Sequence, residues 1–190
     1  MTAKILSTVT LYEGFCKLLR LRVRLNGSEF DREVEDHGRA VAILPYDPTG
    51  GTALLVRLLR APALLTAGVP ELLEAPAGLM GQDSPDDAAR RELHEEVGLQ
   101  VTDLEPMGPV WTMPGISTER MDLFLARYSA SDRVGVGGGI ADEHENITVV
   151  EIPLAELWAK AVQGQIADMK TLMLIYMLRH RHPEVFADKG

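Results

Sequence analysis

The chain has 190 residues, a formal net charge of −9, 46% hydrophobic residues and one cysteine, Cys16. That length suits one domain, or one domain with an arm, and the apolar fraction is ample for a core. The acidic balance argues against a nucleic-acid partner, whose phosphates it would repel. No apolar run of about 18 residues occurs, so no membrane span is indicated. The N-terminus lacks the basic-then-apolar pattern of a secretion signal. A lone cysteine forms no intrachain disulfide, and a reducing cytoplasm is the expected compartment.

Residues 4–11 and 15–25 are rich in Leu and Val. In the second run Leu19, Leu21, Val23 and Leu25 alternate with Arg20, Arg22 and Arg24, the period of a half-exposed strand. Asn26-Gly27 is a hairpin turn signal, and residues 30–34 supply a returning strand. A sheet this thin does not fold alone. It is expected to pack on the main domain or on another subunit. Residues 40–44 and 52–59 read as the next pair of strands, joined by the turn-rich residues 45–51. Arg57 and Arg60 close that hairpin, where exposed strand-end charge is one account of them. Residues 71–74 then lead to Pro76-Ala77-Gly78.

The next stretch is the most explicit in the chain. Ser84 is an N-cap with Asp87 in the position of a capping-box acid, Pro85 suits the first turn, and Gly98 suits the C′ position. These signals predict a helix over residues 85–97. Ala89, Leu93 and Val97 make its apolar stripe. Glu92 and Glu96 are four apart with Glu95 between them, so the three carboxylates gather on one side within a turn. Like charges so close repel. A hard divalent cation would account for them, because Mg²⁺ takes oxygen ligands between carboxylates and substrate phosphates. A solvated acidic face is the other account of the helix alone.

Residues 101–110 read as a strand kinked at Pro106, and residues 121–128 as another. Pro114-Gly115 lies between them, followed by Thr118-Glu119-Arg120. Residues 129–146 form a long acidic, glycine-containing loop, of the length that is often functional. Within it Gly137-Gly138-Gly139 reads as a short flexible patch. Residues 147–152 are a β-branched strand. Pro153 opens a helix with Leu154, Leu157, Trp158 and Val162 on its apolar face. Asp168-Met169-Lys170-Thr171 precedes an apolar helix over residues 172–178, in which Met173, Tyr176 and Met177 read as core. Hairpins on either side of one helix imply an α/β layered domain.

The stretch from Gly78 to Leu99 resembles the signature of the Nudix hydrolases. Arg91, Glu92, Leu93, Glu95, Glu96, Gly98 and Leu99 match its second half in every required position. The first half departs: Asp83 occupies the glutamate slot, and Ala77 the glycine slot, with Gly78 one place late. The resemblance implies the Nudix α/β/α sandwich over roughly residues 38–182, preceded by an N-terminal β arm, residues 1–37, that makes a homodimer. It implies Mg²⁺, with Mn²⁺ as an alternative, held by Glu92, Glu95, Glu96 and the main-chain oxygen of Ala77. Pro114 lies fifteen residues beyond Leu99, where pyrophosphatases acting on ADP-ribose carry a proline. On the same likeness Glu143 is the general base and Glu145 a further metal ligand. Glu96 and Arg91 join Glu143 in the catalytic set, Arg91 by orienting a carboxylate. Arg57, Arg60, Pro114, Gly115 and Glu119 are the expected substrate contacts. The implied reaction is hydrolysis of a nucleoside diphosphate sugar, with ADP-ribose favoured over GDP-mannose. A regulatory domain that only binds a nucleotide sugar is the reading of another class.

Overall fold

The computed structural model describes residues 1–139 and 146–187. Alternation of Leu and Arg makes β2 (Lys17–Leu25) two-faced, and it pairs antiparallel with β1 (Ala3–Glu13) and β3 (Ser28–Asp36) in a three-stranded sheet. The turn between β2 and β3 places Asn26 at φ 49° and Gly27 at φ 90°, as a two-residue hairpin demands. β2 starts at Lys17, and Phe15 belongs to the turn before it. Arg22 and Arg24 pair across the strands with Asp31 and Glu29. None of residues 1–36 is buried.

The second sheet is built around β4 (Arg39–Asp47), where seven successive residues are buried. Alternation decides which layer each one meets. Val41 and Ile43 face one cluster, while Ala42 and Leu44 face the other. Around β4 lie β5 (Thr52–Leu59), β6 (Glu71–Glu74), β7 (Ala77–Leu79), β8 (Glu105–Trp111), β9 (Arg120–Arg127) and β10 (Thr148–Pro153). The order is β10-β5-β4-β9-β8, with β4 parallel to β9 and antiparallel pairing elsewhere.

The hairpin of β4 and β5 is only two rungs long, Tyr46–Ala53 and Asp47–Thr52. Beyond these the strands part, β7 pairing with β4 and β6 with β5. The chain crosses that split at Glu74-Ala75-Pro76-Ala77. On one face α2 (Pro85–Val97) packs Ala89, Leu93 and Val97 on Val41, Ile43, Leu54 and Val56. On the other, α3 (Leu154–Val162) and α4 (Met169–Arg181) bring Leu157, Leu174, Ile175 and Leu178 to Ala42, Leu44 and Leu55. Full burial of each such leucine or isoleucine contributes about 1.5–3 kcal/mol. The result is the expected α/β/α sandwich.

Several local readings change. α1 (Ala61–Ala67) was not expected; it buries no residue, so no apolar stripe announces it. β8 begins at Glu105, four residues late, and carries its irregularity between Pro106 and Gly108, where Gly108 has φ 88°. Asp87 makes half a capping box: its N–H donates to Ser84 Oγ, but its carboxylate takes the Ser84 hydroxyl. On α3 the inward residue is Ala161, and Val162 is exposed. On α4, Met173 and Tyr176 are exposed, and Tyr176 rests edge-on against Trp158 at 5.1 Å.

Candidate active site

α2 starts and stops where its caps dictate. Ser84 accepts the Asp87 N–H at 3.2 Å, and Gly98 closes the helix at φ 67° with its N–H on the His94 carbonyl. The apolar stripe holds the helix on the sheet, and that orientation turns Glu92 and Glu96 inward. They are 7% and 2% exposed, and Glu95 is half-buried beside them. Buried carboxylates this close need compensation. Arg91 Nη1 donates to Glu92 Oε1 at 2.7 Å and to Glu95 Oε2 at 3.1 Å. Its Nε reaches Asp83 at 3.2 Å and its Nη2 the Leu79 carbonyl at 2.9 Å. The shorter acid of the box therefore has a part: Asp83 holds Arg91.

Glu96 Oε2 accepts the Ala77 N–H at 3.0 Å. Ala77 faces Ala42 on β4, and the neighbouring bond from Ile43 N–H to Pro76 O makes this a non-hydrogen-bonded pair. Both polar groups of Ala77 thus point away from β4, so its carbonyl emerges on the edge where Glu96 lies. Gly78 lets β7 approach this closely, since a Cβ there would overlap Glu92 Oε1. Glu92, Glu95 and Glu96 with the Ala77 carbonyl could supply hard oxygens of the kind a divalent cation takes. Among the described residues no three His, Cys, Asp or Glu side chains are arranged so as to hold a metal ion as they stand. A bound ion would draw these carboxylates from their hydrogen bonds and complete its shell with water or substrate oxygen.

The glycine run is not a flexible patch. Gly138 N–H donates to the Glu96 carbonyl at 2.9 Å and Gly139 N–H to the Glu95 carbonyl at 3.0 Å. Val134 and Gly135 donate to the Gly98 carbonyl. A Cβ on Gly137, at φ 68°, would overlap the Glu96 carbonyl oxygen. Residues 134–139 are therefore a strap over the end of α2, satisfying carbonyls that a helix terminus leaves open. Glu143 and Glu145 lie outside the described residues.

Beside the acids opens a cavity of ≈ 540 Å³ whose wall includes Ala77, Gly78, Arg60, Glu74, Glu119 and Lys170. Phe15 and His37 reach the same cavity from the N-terminal sheet and its junction. Of the expected substrate contacts, Arg60 and Glu119 line it. Arg57 is exposed on β5 away from it, and Pro114 and Gly115 form an exposed turn tied elsewhere. Glu35 N–H donates to the Ile116 carbonyl, Thr118 N–H to the Glu35 carbonyl, both at 2.8 Å, so that turn anchors the arm to the domain. Glu74 and Lys170 escaped the sequence reading as site residues. Their side chains meet across a separation of 96 residues, which no local pattern encodes.

A sandwich with this acidic helix on one face is the architecture of a Nudix enzyme. A family model described as NUDIX domain matches residues 36–172, and the chain belongs to that family. GDP-mannose pyrophosphatase of Cronobacter sakazakii is 39% identical over 152 residues, covering 79% of this chain and 78% of its own. The protein of the same name from Yersinia enterocolitica is 40% identical over 146 residues, covering 76% and 75%. A crystal structure of an ADP compounds hydrolase shares the fold with a TM-score of 0.76 over 95% of this chain and 94% of that one, at 21% identity.

Proposed function

We propose that this chain is a magnesium-dependent hydrolase that splits the diphosphate bond of a nucleoside diphosphate sugar, releasing a nucleoside monophosphate and a sugar phosphate. The observation that carries this reading is the pair of buried carboxylates, Glu92 and Glu96, beside a cavity with Arg60 and Lys170 on its wall. Negative groups on one side and cations on the other suit a diphosphate bridged to a metal. GDP-mannose is supported by the names of the relatives at 39% and 40% identity. ADP-ribose is supported by the spacing of Pro114-Gly115 and Thr118-Glu119 from the box, although of these four only Glu119 lines the cavity.

Glu92, Glu95, Glu96 and the Ala77 carbonyl would hold Mg²⁺ or Mn²⁺, with Glu145 as a further ligand. Such an ion, when bound, offsets phosphate charge and lowers the pKa of a coordinated water. Arg91 spreads its donors over Glu92 and Glu95 and so fixes their rotamers. Arg60 meets a phosphate oxygen, and Glu119 faces the sugar or base. Glu143 is the proposed general base, and it must come within hydrogen-bonding reach of the nucleophile or of one intervening water.

Residues 38–190 are the proposed catalytic domain and residues 1–37 a dimerisation arm. Ile5, opposite Val23, and Val9 and Tyr12, opposite Arg20 and Leu18, leave apolar side chains exposed on both faces of that arm, where a second copy would bury them. No helix among the described residues is long and apolar enough to cross a membrane; the cytoplasm is the proposed compartment on the strength of the single cysteine. The test is phosphate release, with added phosphatase, from a panel of nucleotide sugars with and without Mg²⁺ or Mn²⁺. Metal-dependent release from GDP-mannose or ADP-ribose is expected. Binding without release from any member replaces this reading with a regulatory domain.

A further inference from the structure

We propose that Glu74 is a positioning residue that joins Arg60 and Lys170 into one cationic clamp, which takes a phosphate oxygen of the substrate opposite the acids of α2. The proposal rests on the nucleotide-sugar reading above and adds Lys170 and Glu74 to it.

Glu74 ends β6 and is 2% exposed. Arg60 approaches it side-on, Nε to Oε1 at 2.7 Å and Nη2 to Oε2 at 2.8 Å. Lys170 Nζ donates to the same Oε2 and lies 3.0 Å from Asp168. The three residues come from separate segments: Arg60 precedes α1, Glu74 ends a strand, and Lys170 is in the first turn of α4. A second tie keeps their register. The Ala75 N–H donates to Thr171 Oγ1 at 2.7 Å, and the Thr171 N–H donates to Asp168 at 2.9 Å.

A buried ion pair is a poor source of stability, because apolar residues of the same volume serve as well or better. What it supplies is placement. Side-on pairing occupies Nε and Nη2 of Arg60 and leaves Nη1 without a partner among the described residues. Lys170 has a third N–H beyond its two carboxylates. Both side chains line the cavity that also reaches Ala77 and Gly78. The remaining donors are a planar guanidinium fork and an ammonium point charge. Together they suit a phosphate oxygen on the side away from a metal. Without Glu74 no carboxylate would join Arg60 to Lys170, which would keep only Asp168 as its partner among the described residues.

The test compares Glu74→Gln, Arg60→Met and Lys170→Met with the wild type, using GDP-mannose and ADP-ribose with Mg²⁺. Each single variant is expected to raise KM by about tenfold with kcat within about threefold. Adding Glu74→Gln to the Arg60→Met/Lys170→Met double variant should leave KM unchanged, since no cation remains to be positioned. In that background it should also raise the melting temperature, by removing a buried charge without partners. A wild-type KM in Glu74→Gln, or a further rise in KM when it is added to the double variant, overturns the proposal. If Glu74→Gln fails to fold, wild-type KM in both Arg60→Met and Lys170→Met overturns it. If the wild type cleaves neither sugar, the enzymatic reading fails by itself. The clamp is then judged by calorimetry with inorganic pyrophosphate, where binding weakened about tenfold in Arg60→Met and Lys170→Met supports it. Equal binding overturns it.

Discussion

Ile5 and Val9 in β1 keep more than half their surface in solvent, whereas Val41 and Ile43 in β4 keep none. Both strands carry β-branched residues and both are hydrogen-bonded into a sheet. The difference lies in the second layer. The N-terminal sheet has hairpin turns and cross-strand ion pairs but contributes no residue to either core cluster, while the central sheet lies between α2 and the α3–α4 layer. The contrast extends to charge. Arg22, Arg24 and Glu29 form their pairs on a solvated surface, where such pairs contribute little. Glu74, Glu92 and Glu96 are held where water is excluded, and there a carboxylate is costly enough to be kept only with a partner. Burial sets these acids apart from those of the arm.

The contrast breaks most visibly at Glu96. Glu96→Gln keeps the shape and the Ala77 contact but removes the charge; turnover should fall by about 10³-fold or more, with the fold intact by circular dichroism. Near-wild-type turnover would return the acids of α2 to the class of solvated charges on the arm. Next come paired truncations. Leu55→Ala in the central sheet should cost about 3 kcal/mol in urea unfolding. Val9→Ala in the arm should stay within about 0.5 kcal/mol of wild type, and Ile5→Asp with Val9→Asp should convert a two-subunit mass in light scattering to that of one subunit. A large loss from Val9→Ala in a single subunit would mean the arm already has its cover.

Gly137→Ala tests the strap. A left-handed backbone and a Cβ against the Glu96 carbonyl should cost about 1–3 kcal/mol. Turnover should fall with it, because the same two peptides carry the Glu95 and Glu96 side chains. The smallest effect concerns acid. Burial alone would raise the Glu74 carboxyl, but the Arg60 hydrogen bond and the Lys170 charge outweigh it and hold the group below the usual carboxylate value of 4.5. A carboxyl lowered on folding stabilises fully above its unfolded value and loses that contribution as pH falls through the folded one. The wild-type melting temperature should therefore drop more steeply than that of Glu74→Gln between about pH 5.5 and about pH 3.5. Parallel slopes would place Glu74 with the arm's weakly coupled pairs.

Much of the architecture is written in short stretches. The bounds of α2 follow from Ser84, Pro85 and Gly98, because caps act on backbone groups a few residues away. The hairpin at Asn26-Gly27 is legible for the same reason. α1 is not, since an exposed helix has no apolar period to detect. The strap is a middle case: three glycines signal backbone freedom, but only their docking on α2 reveals that the freedom is used for close approach.

By itself, then, the sequence determined the layered α/β class, the acidic helix with its caps, and the presence of an N-terminal β arm. These rest on periodicity and capping, which span one or two turns of chain. Only the tertiary structure decided that β4 and β5 part after two rungs, that Asp83 holds Arg91, and that Glu74 meets Arg60 and Lys170. Those contacts join residues 8, 14 and 96 positions apart. Their geometry depends on how the sheet and helices pack, because a side chain's partner across a fold is chosen by burial and shape, not by its neighbours in sequence.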